Sequence, residues 1–337
     1  MTTYKDAGVD IDAGDDAVDR IKPLVRTTFT PGVLTDIGSF GSFFELDVST
    51  YDRPVLVSSI DGVGTKLKVA VRADRYDTVG QDLVNHCVND IAVSGAKPLY
   101  VLDYYGTGTL DPAVAEDVVR GFTIACRENG CALVGGEIAE MPDVYGDADF
   151  DLVGTVVGVV EKDRVLNADR VQPGDVLLGL PSTGLHTNGY TLARTVLFDA
   201  FDDDATPDAL GGETVVEALL RTHRSYLDAI QALATANQVH ACAHITGGGL
   251  PGNLRRVMPD GCVADVDNDA WTRPPLFDLI QDVGDVPEDD MRRTFNLGIG
   301  LVAVVPANAE DAARATLEAM GETPLRIGAV RPADGAP

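Results

Sequence analysis

The feature that most limits how this chain can fold is a recurrence. Apolar, strand-like segments run into glycine-bearing turns that open amphipathic helices, and they do so on both sides of one polar stretch. The segment 54–60 (PVLVSSI) leads straight into Asp61-Gly62-Val63-Gly64-Thr65-Lys66. The spacing predicts a helix over 76–94, with Leu83, Cys87 and Ile91 on its apolar face and Asp82, His86, Asn89 and Asp90 on its polar one. A strand over 98–105 precedes a helix over 112–129, with Asp111 as N-cap and Pro112 at the first position. Strands over 131–134, ending in the turn Gly135-Gly136-Glu137, and over 151–160 complete the first half. The polar run 162–175 reads as a domain boundary, so we expect domains 1–168 and 169–337. The second half then repeats the grammar. A strand over 176–180, a loop 181–189 and a helix 190–201 are followed by a long helix over 213–236. A Gly247–Gly249 turn, a helix opened by Pro251, a strand over 296–305 and a helix over 308–320 complete it. Such alternation predicts two mixed α/β (α+β) domains.

Composition narrows the classes of partner. Of 337 residues, 45% are hydrophobic and 23% charged, which suits a core-forming chain. The net charge of −27, from 53 acids against 26 bases with no basic run, leaves nucleic-acid binding by phosphate neutralisation close to excluded and disfavours an anionic membrane surface. The acids are 41 Asp and 12 Glu, spread along the chain, and the bases include only 6 Lys. That pattern fits a surface adapted to high salt, where screening suppresses repulsion. No apolar run is long enough for a membrane span, the N-terminus has no signal-peptide core, and the odd set Cys87, Cys126, Cys131, Cys242 and Cys262 has no metal spacing. A cytoplasmic location with reduced thiols is expected. The alternation His240-Ala-Cys242-Ala-His244 fits one face of a short strand better than a zinc site.

Three groups of residues can carry chemistry. At 61–66, glycines allow close backbone approach to an anion, Lys66 can meet a phosphate and Asp61 can hold magnesium, yet the pattern alone also fits a tight turn. It lacks the Gly-Lys-Ser/Thr of a Walker A loop and the third glycine of a dinucleotide fingerprint. Asp61, Asp90 and Glu137 sit on different elements, an arrangement suited to Mg²⁺ bridging nucleotide phosphates. In the second half, Ser182 to Gly189 (with His186 and Asn188) and Thr246, Gly247, Gly248 and Gly249 both join strands to helix N-termini, where anions bind, although the first also fits capping and turn chemistry. Arg293, Thr294 and Asn296 are placed to reach a polar substrate.

At these residues the sequence resembles the phosphoribosylformylglycinamidine cyclo-ligase (aminoimidazole ribonucleotide synthetase) family. The resemblance rests on YKDAGVDIDAG at 4–14, DGVGTK at 61–66, CVNDIAVSGAKP at 87–98, LDYYGTG at 102–108, LVGGEIAEMP at 133–142, GLHTNGY at 184–190, HITGGG at 244–249 and RTFNLGIG at 293–300. It implies a homodimer whose N-terminal domains share a β-barrel, a C-terminal mixed α/β domain, ATP and Mg²⁺. The implied reaction phosphorylates the formyl amide oxygen of formylglycinamidine ribonucleotide, after which the amidine nitrogen attacks and phosphate leaves. Carried over by motif, Asp61, Asp90 and Glu137 would hold metal, with Asp90 also serving catalysis. Lys22 would lie over the nucleotide. Gly62, Gly64, Thr65, Lys66 and Asn89 would line the phosphates, and His186 would stand near the reacting amide. Asn188, Thr246 to Gly249, Arg293 and Asn296 would bind substrate. Ile138 and Leu185 depart from the family pattern. Selenophosphate synthetase-like and thiamine-monophosphate kinase-like enzymes are the alternatives; the former needs a reactive cysteine or selenocysteine in the N-terminal arm, whereas the first cysteine here is Cys87.

Overall fold

The computed structural model describes residues 2–333. Within them the segments up to Ile91 and Pro98–Val159 form one compact unit, and Ala92–Lys97 together with the chain from Val160 form a second.

In the first unit, strands β1 (Pro54–Gly62), β2 (Lys97–Thr107), β3 (Ala132–Glu140) and β4 (Phe150–Glu161) make a sheet of order β1-β4-β2-β3. Helices α1 (Ile11–Arg26), α2 (Leu67–Ala73), α3 (Asp77–Ala92) and α4 (Pro112–Glu128) accompany it. β2 and β3 are parallel neighbours because α4 carries the chain back between them. α4 starts as its sequence predicts: Asp111 accepts a hydrogen bond from the Ala113 amide, and Pro112 sits in the first turn. α1 starts at Ile11 because Asp10 caps it, and it buries Ala17 and Val25. The Gly135-Gly136-Glu137 turn is corrected: these residues continue β3, Gly135 and Gly136 pairing with Leu102 and Asp103. Glycine is needed there for close approach, since a Cβ on Gly136 would lie 2.1 Å from Asp103 Oδ1.

α3 packs on β4, where a Cβ on Gly154 would press on Leu83 and Cys87, and it crosses α4 backbone to backbone. A Cβ on Gly121 would stand 2.1 Å from the Asp77 carbonyl oxygen, and one on Gly80 2.2 Å from that of Val118. Elsewhere a helical Gly→Ala gains about 1 kcal/mol. Here the clash reverses the sign, and Gly121→Ala should cost about 3 kcal/mol or more in urea unfolding; a variant as stable as the parent would refute this crossing. β1 alternates in burial and leaves Leu56 and Ile60 62% and 65% exposed, with Leu102 of β2 exposed as well. The sheet therefore keeps unpartnered apolar surface.

In the second unit, β5 (Val176–Pro181), β6 (Ala241–His244), β7 (Cys262–Val266), β8 (Ile299–Val305) and β9 (Leu325–Pro332) form a sheet of order β6-β8-β5-β9-β7 with antiparallel neighbours. β8 is buried throughout, which explains its unbroken apolar run. α5 (Tyr190–Ala200), α6 (Val215–Leu220), α7 (Leu227–Thr235) and α8 (Gly249–Arg255) follow in order, then α9 (Pro275–Gly284), α10 (Glu288–Thr294) and α11 (Glu310–Ala319). The long helix predicted over 213–236 is corrected to α6 and α7. Arg221 leaves helical geometry, and the break 221–226 turns His223 and Tyr226 into the core, where Tyr226 Oη donates to the Pro181 carbonyl at 2.8 Å.

Candidate functional site

In the first unit the chemistry gathers where β1 and α3 end. Asp61 is the penultimate residue of β1, and Asp90 lies in the last turn of α3, the negative end of the helix dipole. Ser59 donates to both carboxylates, at 3.2 Å to Asp61 Oδ2 and 3.4 Å to Asp90 Oδ2. Burial and the neighbouring Asp90 push the Asp61 carboxyl up to about 6. Two half-buried carboxylates forced together, one at an unfavourable helix end, make a donor set that a hard divalent cation fits. Glycines at 62 and 64 follow at once, Gly64 with φ +71°. Gly62, Gly64 and Thr65 are exposed, leaving backbone open to an anion beside the acidic pair. His86, on the polar face of α3, brings Nε2 to 3.6 Å from Asp61 Oδ1. Its helical position one turn before Asn89 and Asp90 is the only sequence signal for it.

Other residues of the expected set lie elsewhere in the unit. Lys66 is corrected: it is fully buried and ion-paired with Asp82 at 2.7 Å, so its ammonium faces the core rather than a phosphate. Asn89 is buried beside Asp90 on α3. Glu137 sits on β3, at the opposite edge of the sheet from β1, about 14 Å away at ordinary strand spacing. It lines a cavity of about 720 Å³ walled by α1 (Asp15, Val18, Ile21), the 36–42 loop and Asp103. Burial raises the Asp103 carboxyl to about 7. Asp103 falls in the LDYYGTG segment at 102–108 but is not singled out there, and the cavity is not legible in the sequence. Lys22 is on α1, paired with Asp19 at 3.1 Å on the helix surface.

In the second unit two loops meet. The Thr246–Gly248 turn leads into α8, and Asn253 holds it by donating to the carbonyls of Thr246, Gly247 and Gly249. Gly247 and Gly248 are exposed, and Asn188 Nδ2 lies 3.6 Å from where a Gly247 Cβ would be. The Gly248 amide donates to the Arg293 carbonyl at 3.1 Å, so Arg293 joins the group through its backbone while its side chain is exposed. A Cβ on Gly249 would meet the Arg292 carbonyl at 1.9 Å. Asn296, by contrast, is buried and its amide is committed to the fold. Its Oδ1 accepts from Ser182 Oγ and the Gly298 amide, both at 2.9 Å, and its Nδ2 donates to the Gly184 carbonyl at 2.8 Å.

His186 is 1% exposed and takes a left-handed φ of 64°. Its ring stacks on His223, which the sequence does not single out. The His240-x-Cys242-x-His244 stretch is strand β6 with its approach, as expected. His240 Nδ1 bonds Asp175 at 2.8 Å while His244 turns to His223, and burial pushes the Cys242 thiol up to about 12.

Comparison with known proteins identifies the family. Residues 47–160 match the model for the N-terminal domain of AIR synthase related proteins, and residues 172–336 match the model for their C-terminal domain. The chain is 53% identical over 333 residues to phosphoribosylformylglycinamidine cyclo-ligase of Anaeromyxobacter sp. (strain Fw109-5), covering 99% of this chain and 97% of that one. It is 48% identical over 332 residues to the protein of that name from Trichlorobacter lovleyi, covering 98% and 95%. Among solved structures, thiamine-monophosphate kinase from Stenotrophomonas maltophilia K279a superposes with a TM-score of 0.67 at 20% identity, covering 94% of each chain. Hydrogenase maturation protein HypE in complex with ATP gives 0.64 at 22% identity, covering 92% and 84%; likeness at this level speaks for the fold. With both domain models in order and near-complete coverage at 53% identity, the chain belongs to the phosphoribosylformylglycinamidine cyclo-ligase family.

Proposed function

We propose that this protein closes the imidazole ring of aminoimidazole ribonucleotide from formylglycinamidine ribonucleotide, converting ATP to ADP and phosphate. The observation that carries the reading is the end-to-end likeness, at 53% identity, to a cyclo-ligase of that name. Asp61 and Asp90 would hold Mg²⁺, which supplies charge neutralisation on the nucleotide phosphates. The exposed backbone of Gly62 to Thr65 would receive those phosphates, and Gly247, Gly248 and Asn188 would receive the phosphate of the ribonucleotide. Glu137 and Lys22 would act from the α1 side of the first unit. The chain's contribution is positioning and electrostatics, the usual means of catalysing phosphoryl transfer. The exposed Leu56, Ile60 and Leu102 support a homodimer in which two first-unit sheets cover each other. No helix among the described residues is long and apolar enough to cross a membrane; we place the enzyme in the cytoplasm.

Purified protein given formylglycinamidine ribonucleotide, ATP and Mg²⁺ in molar KCl should release ADP and form the imidazole; absence of both products would overturn the reading. The salt matters because a −27 chain must capture two anions against its own field. The Debye length falls from about 8 Å at 0.15 M to about 3 Å at 1 M. Activity and melting temperature should therefore both rise with KCl into the molar range, and an optimum below about 0.2 M would refute the screening argument.

A further inference from the structure

Three imidazoles meet in the core of the second unit. His186, His223 and His244 are buried and offer ring nitrogens within 4.8 Å of one another. They arrive from the loop after β5, the break between α6 and α7, and the last residue of β6. His223 is the common neighbour. Its Nε2 is 3.0 Å from His244 Nε2, its Nδ1 is 3.4 Å from Thr187 Oγ1, and its ring lies 4.0 Å from that of His186 with 12° between planes. His186 Nε2 accepts from the Thr183 amide at 3.2 Å, so a neutral His186 carries its proton on Nδ1. Gly300 makes room beneath: a Cβ there would stand 2.1 Å from Tyr226 Oη and 2.5 Å from His186 Cε1.

Such a cluster could hold a metal or a hydrogen-bonded chain, and ring geometry decides between them. An imidazole ligates along its own plane, at about 2.0–2.1 Å for zinc. Two rings stacked nearly parallel aim their lone pairs along parallel planes, so His186 and His223 cannot point at one ion without rotating. The 3.0 Å contact between Nε2 atoms, by contrast, suits one N–H···N bond. One proton then lies between His223 and His244. If His223 donates it, the Thr187 hydroxyl donates to His223 Nδ1; if His244 donates it, His223 Nδ1–H donates to Thr187 Oγ1. Both patterns leave His223 with one donating and one accepting nitrogen.

We propose that His223 is a positioning residue: it fixes the ring orientation and tautomer of His244, whose chain runs on into Thr246–Gly249, and braces the ring of His186 by stacking. This rests on the function proposed above. The test uses the full chain as parent, His223→Gln and His223→Leu; glutamine can still bond His244 Nε2, while leucine fills the space without doing so. His223→Leu should lower kcat for ring closure by about 100-fold while KM for ATP moves less than about threefold, and His223→Gln should recover at least about tenfold of that loss. Imidazole ¹⁵N spectra, assignable because the chain has five histidines, give a readout free of catalysis. The parent should show distinct protonated and unprotonated nitrogens on His223 and His244, and in His223→Leu the His244 pair should average. Equal losses in the two variants, a kcat of His223→Leu within threefold of the parent, or averaged nitrogens in the parent would overturn the proposal. So would a stoichiometric transition metal retained by the parent and lost in His223→Gln. Should His223→Leu fail to fold, the parent spectra and the His223→Gln kinetics decide. A parent that shows ordered imidazoles yet forms no imidazole product refutes the enzymatic reading and leaves the positioning role of His223 standing.

Discussion

Asp90→Asn should cut turnover by two orders of magnitude or more and raise the Mg²⁺ concentration needed for half activity. The substitution keeps shape and removes one charge from a pair that Ser59 ties together. Titrating Mg²⁺ against initial rate checks it, and near-normal rates with an unchanged Mg²⁺ requirement would refute the ligand role. Asp61→Asn should be equally inactive yet more stable than the parent in metal-free buffer. Asp61 is an acid whose carboxyl is raised in the folded state from 3.8 to about 6, so the folded protein holds the proton more tightly than the unfolded chain. Its contribution to stability is present below about pH 4, is lost as pH rises towards 6, and is a penalty at pH 7. Because this carboxyl keeps solvent contact, a gain of roughly 1–2 kcal/mol is expected for the asparagine variant at pH 7. Added Mg²⁺ should stabilise the parent and leave Asp61→Asn unmoved. A variant less stable than the metal-free parent would mean that the carboxylates are not held together against repulsion.

How far the sequence reaches depends on whether a residue's role is local. Asp111 and Pro112 announce the start of α4 because capping is decided within three residues. Asp61 and Asp90 are legible because each stands at an element's end, beside glycines or a polar helix face. Gly135 and Gly136 mislead because glycine serves a turn and a close strand approach equally; only Asp103 on the neighbouring strand distinguishes them. The break between α6 and α7 is hidden for a related reason. Residues 221–226 leave the helix because His223 and Tyr226 find partners on β6 and β5, 21 and 45 positions away in the chain. Glu137 shows the limit for carboxylates: the glycines before it suggest a strand end, but it lies inside β3, at the edge of the sheet away from β1.

Lys66 carries the sharpest disagreement between motif and fold, and its replacement discriminates two roles with opposite consequences. A lysine that meets a phosphate can become methionine with little change in stability and a higher KM for ATP. The fold places Lys66 instead in a fully buried pair with Asp82, where burial pulls its ammonium pKa down and Asp82 opposes the shift. Removing one partner of such a pair leaves the other charge in the core, and Lys66→Met should therefore lose about 3–5 kcal/mol. Replacing both, Lys66→Met with Asp82→Leu, removes the stranded charge together with its partner and should return most of that loss. Denaturant unfolding of the two single variants and the double variant measures the coupling as a cycle. Singles that each cost several kcal/mol and a double near the parent establish a structural pair. If Lys66→Met unfolds like the parent while KM for ATP rises tenfold, the ammonium leaves the core to reach the nucleotide, and the buried pair is not its working position.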